Sequence, residues 1–116
     1  MSVKIIDYDA IKAIESLNDK QVYLIDVRDV DEFQAGHIPN ALNIPLTEFR
    51  TTMEMPNEHW ISVLGRDKPS SNDRLVIYCR SGRRSNLASQ DALELMFFRV
   101  ENYAGSWNEY ATHVTA

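Results

Sequence analysis

The chain has 116 residues, 17 of them acidic against 12 basic, for a formal net charge of −5, and it has one cysteine. The acidic balance argues against a general nucleic-acid or membrane-surface binder. A lone cysteine excludes an intrachain disulfide and any Cys-rich metal site, and the length suits a single domain over residues 1–116 with one real core.

The N-terminal stretch lacks a long apolar segment and carries Asp7, Asp9 and Glu15, so it reads as neither a signal nor a transit peptide. Val3 to Ile6 is a short strand. Asp7 caps a helix starting near Tyr8, with Ile11, Ile14 and Leu17 on its buried face. Asn18-Asp19 turns into a buried strand, Val22 to Val27, which runs out through Asp26, Arg28 and Asp29. A short helix over Asp31 to Gln34 stops at Gly36. His37-Ile38-Pro39-Asn40 turns into a short strand, Ala41 to Ile44, and a second short helix follows around Leu46 to Arg50. Pro56-Asn57 starts a helix through Trp60, Ile61 and Leu64 that Gly65 ends, and Lys68 to Asp73 is loop by composition.

Leu75 to Tyr78 is an apolar, β-branched run that reads as a buried strand, and it ends on Cys79. Arg80-Ser81-Gly82-Arg83-Arg84 follows. Ser85 then caps a helix whose apolar residues, Leu87, Ala88, Ala92, Leu95 and Met96, recur at helical spacing. A last strand spans Arg99 to Tyr103, and Gly105-Ser106 turns into a terminal helix holding Trp107 and Tyr110. Strands alternating with helices predict an α/β fold, a parallel sheet covered on both faces.

The cysteine therefore sits where a strand gives way to a short Arg-rich loop and a helix start. In open α/β sheets ligands bind at that edge. A free thiol has a pKa of about 8.5 and attacks only as thiolate. Unpaired N–H groups at a helix start and the charges of Arg80, Arg83 and Arg84 all favour the anion. Gly82 allows a positive φ, so successive N–H groups can turn inward as an anion nest. Arginine forks suit oxyanions, and Ser81 is a further donor. The expected chemistry is attack by the Cys79 sulfur on a small oxyanion, a thiosulfate-like species or a phosphate ester.

Three segments in order, DVRDVDEFQAGHIPNALNIPL, VIYCRSGRRS and YAGSWNEY, closely resemble the rhodanese homology domain in its single-domain sulfurtransferase form. The shared positions are Asp26, Arg28, Glu32, Phe33, Gly36, His37, Ile38, Pro39 and Ala41, then the Cys79 loop, then Gly105 and Trp107. The resemblance implies a central five-stranded parallel sheet with helices on both faces, and a double displacement through a Cys79 persulfide. A thiosulfate-like anion would give its outer sulfur to Cys79, which passes it to cyanide or to a thiol such as glutathione or a protein thiol. Arg80, Ser81, Gly82, Arg83 and Arg84 would hold the donor and the persulfide, with no metal or organic cofactor. Related cell-cycle phosphatases carry a loop one residue longer. Here four residues separate Cys79 from Arg84, which favours sulfur over a tetrahedral phosphate. A persulfide carrier that docks other proteins is the other alternative.

Asp26 and Arg28 read as structural, with Arg28 paired to Glu32 or Asp29 and Asp26 in reach of the active loop. His37 reads as a structural hydrogen-bonder in its turn, and Trp107 with Tyr110 as core residues that could also wall the site. Trp60 and the Met53 to Pro56 region could border the pocket or a docking surface. His59 and His113 lack metal-ligand spacing. A reactive thiol suggests a reducing compartment, cytoplasmic or mitochondrial, with no nucleic-acid or membrane partner.

Overall fold

A computed structural model describes residues 2–114. Five strands form one sheet: β1 (Lys4–Ile6), β2 (Val22–Asp26), β3 (Leu42–Asn43), β4 (Arg74–Tyr78) and β5 (Arg99–Tyr103). Their order is β1-β5-β4-β2-β3 and all pairs are parallel. Six α-helices connect them: α1 (Tyr8–Leu17), α2 (Val30–Ala35), α3 (Phe49–Met53), α4 (Asn57–Leu64), α5 (Arg83–Glu94) and α6 (Ser106–Val114), with a 3₁₀ turn at Leu46–Glu48 before α3. No helix among the described residues is long and apolar enough to cross a membrane.

Alternation along the central strands builds two cores. Leu75, Ile77 and Cys79 point to one face with Ile25 and Val27, and meet Phe49 and Met53 of α3, Trp60 of α4, and Ala88 and Ala92 of α5. Val76 and Tyr78 point to the other face with Leu24 and Tyr103, and meet Ile11 of α1 and Tyr110 of α6. A parallel sheet needs both faces covered, because crossovers place helices on each side. β4 lies between β5 and β2, so the strand that delivers Cys79 is the most enclosed.

Several local expectations are corrected. The short helix expected over Leu46 to Arg50 is a 3₁₀ turn followed by α3. α5 begins at Arg83, two residues before Ser85, and Gly82 is its N-cap. Leu17 closes α1 at 58% exposure and Leu87 lies outward on α5 at 53%, because the buried stripes are filled by Ile11 and by Ala88 and Ala92. Trp60 and Met53 are buried in the core and line neither of the cavities at the sheet's two edges. Trp60 is wholly buried and its indole N–H donates to the Thr52 carbonyl at 2.6 Å.

Candidate active site

The site forms at the carboxyl edge of the sheet, where β4 ends and the chain bends into α5. Cys79 is buried. Its N–H donates to Ser106 Oγ at 3.1 Å, and its carbonyl accepts from the Trp107 N–H at 2.9 Å. The Arg80 carbonyl accepts from the Asn108 N–H at 2.9 Å. The first turn of α6 therefore grips two consecutive peptides of the loop. These N–H groups have no partner within their own helix, so they are free to serve this purpose. Ser106 does so with a φ of 54°, uncommon for a residue with a Cβ, and its hydroxyl donates onward to the Tyr103 carbonyl at 2.7 Å.

The loop then closes over the sulfur. Gly82 has φ 94°, and a Cβ there would lie 2.5 Å from the Ala104 carbonyl oxygen, so glycine alone fits. The Gly82 N–H donates to Cys79 Sγ at 3.1 Å, and the N–H groups of Ser81 and Ser85 also act on the sulfur. Ser85 Oγ lies 3.4 Å from Sγ. Burial pushes the Cys79 thiol up, but the Ser85 hydroxyl and the N–H groups of Ser85, Gly82 and Ser81 outweigh it and bring the thiol below the ordinary cysteine range. Neutral donors, rather than the arginine charges, are thus the leading stabilisers of the thiolate. Ser85 is not the helix cap. It stands in the first turn of α5 and turns its hydroxyl to the sulfur.

The three arginines part company. Arg84 forms a bidentate pair with Glu32, at 2.8 and 3.1 Å. That pairing, with the Asp29 N–H as a further donor, holds the Glu32 carboxyl down to about 2. The pair ties α2 to α5 across the mouth of the loop. Glu32 in turn holds Arg84 more firmly protonated, and the Cys79 sulfur adds to this. Arg80 and Arg83 are exposed, and neither side chain has an ion pair or hydrogen bond among the described residues.

Arg28 does not pair with Glu32 or Asp29. It is buried in a fork on Asp26, with contacts from 2.8 to 3.1 Å, and donates to the Gly36 carbonyl at 2.6 Å. Asp26 is spent on Arg28, accepting its backbone N–H as well, and makes no hydrogen bond to the loop. The Arg28 guanidinium lies 4.9 Å from the Trp107 ring, which also packs on Gly36 and stacks on Tyr110. Trp107 is thereby a wall of the site, half-buried. His37 donates its Nδ1–H to the Phe33 carbonyl at 2.9 Å and stacks on the Phe33 ring, holding the end of α2. Among the described residues no group of His, Cys, Asp or Glu is placed to hold a metal ion.

The rhodanese-like domain family matches residues 9–113. The chain belongs to that family. Its rhodanese-like relatives include the human thiosulfate:glutathione sulfurtransferase, 38% identical over 75% of this chain and 76% of the relative. A mouse protein named for a thiosulfate sulfurtransferase/rhodanese-like domain is 38% identical over 93% of this chain and 68% of its own length. The solved structure of a human single-domain sulfurtransferase superposes with a TM-score of 0.88 at 29% identity, covering 96% of this chain and 97% of that one.

Cavities lie at both edges of this rhodanese-like sheet. One of about 350 Å³ adjoins the Cys79 loop and is lined by Arg28, Glu32, Ala35, Arg80, Trp107 and Asn108. The other, about 530 Å³, lies at the amino edge of the strands. It carries none of the site's chemistry, and its Arg66 is already committed to the Lys20 and Val22 carbonyls and to the Tyr23 ring.

Proposed function

We propose that this rhodanese-like domain is a sulfurtransferase that moves sulfane sulfur from a thiosulfate-like donor to a thiophilic acceptor through Cys79. The observation that carries the reading is the convergence of N–H groups and one hydroxyl on a single buried sulfur. The Cys79 thiolate attacks the outer sulfur of thiosulfate. The S–S bond of the donor breaks, sulfite leaves with the electron pair, and Cys79 becomes a persulfide. The acceptor, cyanide or a thiolate, then attacks the outer persulfide sulfur, and Cys79 departs as thiolate. The nest that lowers the thiol also fits the persulfide anion, so no metal or cofactor is called for. Arg80 and Arg83, both uncommitted, and Arg84, held by Glu32, are the candidate cations for the donor's sulfonate.

Cys79 is the nucleophile, and Ser81, Gly82 and Ser85 hold its sulfur. The thiol acceptor is of the glutathione or protein-thiol kind, and a reducing compartment, cytoplasmic or mitochondrial, suits the free thiol. Intact-mass measurement after thiosulfate treatment tests the reading. The wild type gains one sulfur and Cys79→Ser gains none, and it also forms no thiocyanate. A wild type that takes up no sulfur overturns the proposal. Slow turnover with cyanide but fast turnover with a protein thiol would make it a carrier.

A further inference from the structure

The turn that grips the Cys79 loop is itself held from behind. Ser106, Trp107 and Asn108 bind the Cys79 N–H, the Cys79 carbonyl and the Arg80 carbonyl. Ala104 sets its carbonyl oxygen against Gly82, whose N–H donates to the sulfur. The shape of the loop therefore depends on where residues 104–108 sit. β5 ends on Tyr103, and both ends of that residue are used. Its carbonyl accepts from the Ser106 hydroxyl, and its phenol, wholly buried, donates to Glu109 Oε1 at 2.7 Å. Burial, and then the Glu109 carboxylate, push the phenol well above its ordinary range, so it stays a donor at working pH. The Glu109 N–H returns to the Gly105 carbonyl at 3.2 Å. Its side chain lies over Gly105, where a Cβ would collide with Oε1. Gly105 is not at positive φ, so it is this space, and not the backbone, that asks for glycine.

We infer that Glu109, gripped by the Tyr103 phenol across Gly105, is a positioning residue that sets the donors around the Cys79 sulfur. Glu109 makes no hydrogen bond to the loop among the described residues, so it acts through the turn. Ser106 shows why the turn needs holding. At φ 54° it is strained for a residue with a Cβ, and such strain persists only where the surroundings over-determine it. The bond from Tyr103 to Glu109 closes a ring around Gly105 and Ser106 and supplies that constraint. With the bond cut, Ser106 relaxes, and Gly82 and the two gripped peptides lose their alignment on the sulfur.

The test separates the held turn from the charge. Tyr103→Phe cuts the bond, strands no buried donor and keeps the carboxylate. Glu109→Gln keeps an acceptor for the phenol and removes the charge. Iodoacetamide alkylation of Cys79 in the full chain, followed by mass against pH, reads the thiol midpoint. It rises by about half a unit in Tyr103→Phe, where donors are misaligned but not lost, and is unmoved in Glu109→Gln. Gly105→Ala displaces the carboxylate from its other side and matches Tyr103→Phe. The double variant moves the midpoint no further than either single one, because both break the same bond. Sulfur uptake from thiosulfate slows about threefold in Tyr103→Phe and keeps the wild-type rate in Glu109→Gln. Glu109 acting only as a charge through space gives the opposite pattern, a midpoint that falls in Glu109→Gln and holds in Tyr103→Phe, and that result overturns the inference. Unmoved midpoints in Tyr103→Phe and Gly105→Ala, or additive shifts in the double variant, overturn it too. The uptake arm rests on the sulfurtransferase reading and the alkylation arm does not. A wild type that gains no sulfur therefore overturns that reading alone, and the midpoints still decide the role of Glu109.

Discussion

Replacing Ser85 by Ala removes the one side-chain hydrogen-bond partner of the Cys79 sulfur among the described residues and leaves the N–H groups of Ser81, Gly82 and Ser85 in place. A hydrogen bond to a charged acceptor is worth about 1.5–3 kcal/mol. The 3.4 Å Oγ–Sγ separation and the donors that remain argue for the lower end. About 1.4 kcal/mol corresponds to one pKa unit, upward, because the lost interaction favoured the anion. Well below the midpoint the thiolate fraction then falls about tenfold. The thiolate that remains is more basic, and with a Brønsted slope of about 0.4–0.5 it is roughly threefold more nucleophilic. The two effects give a variant about threefold slower at low pH and about threefold faster on the high-pH plateau, so its curve crosses that of the wild type. Iodoacetamide alkylation of Cys79 against pH, followed by mass, measures both limbs. Coincident midpoints would refute the role given to the Ser85 hydroxyl.

Cys79→Ser, as above, is expected to abolish sulfur uptake. Glu32→Gln breaks the fork on Arg84. The folded carboxyl titrates at about 2, against about 4.3 when unfolded, so its contribution is fully present above about pH 4.5 and is lost as pH falls toward 2. The pair is about a third exposed, which discounts it to roughly 1 kcal/mol, or about 4 °C in Tm at pH 7. Melts of the two proteins should converge toward pH 2, and a constant gap would contradict the pairing. Gly82→Ala forces a Cβ onto the Ala104 carbonyl at positive φ, for a loss of about 2 kcal/mol or more and slowed persulfide formation. An alanine variant as stable as wild type would exclude that geometry. Ser106→Ala strands the buried Cys79 N–H, at about 1–3 kcal/mol by chemical denaturation. Ser106→Gly loses the same bond but is relieved of the positive φ, so it should fall less, and equal losses would remove backbone strain from the account.

The strand-loop-helix around Cys79 was legible because its signals are local: a β-branched run, one glycine and a helical apolar spacing. What was not legible depends on which partner a polar side chain finds in space. Arg28 stands two residues from Asp26, one from Asp29 and four from Glu32, and nothing in the sequence ranks them. Burial decides it, since Arg28 and Asp26 are enclosed together under Trp107 while Asp29 is exposed and Glu32 is taken by Arg84. In the sequence Ser85 has the marks of a cap, because Ser is a preferred cap and opens the apolar spacing. Glycine is tolerated there too, and Gly82 at φ 94° starts the helix three residues earlier. That offset turns Ser85 inward to the sulfur. Ser106 left less to read. Its role comes from a fold-back of 27 residues between Cys79 and α6, which no local pattern carries.

The choice of neutral donors over cations has a chemical consequence. Sulfur transfer asks one atom to do two opposed things. As nucleophile in the first half-reaction, Cys79 gains from a higher pKa, because intrinsic nucleophilicity falls as pKa falls. As leaving group in the second, it gains from a lower one. A full cation against the sulfur would favour departure and blunt attack. Here Arg84 is in a fork with Glu32, and dipoles from Ser81, Gly82 and Ser85 lead in lowering the thiol. That lowering assists departure without setting a lone cation against the sulfur. It also follows the charge as it moves one S–S bond, about 2.05 Å, outward in the persulfide, since N–H groups spread along a loop can share an anion over that distance. The Glu32–Arg84 pair braces α2 against α5 at the loop mouth, with the arginine still in electrostatic reach of the sulfur.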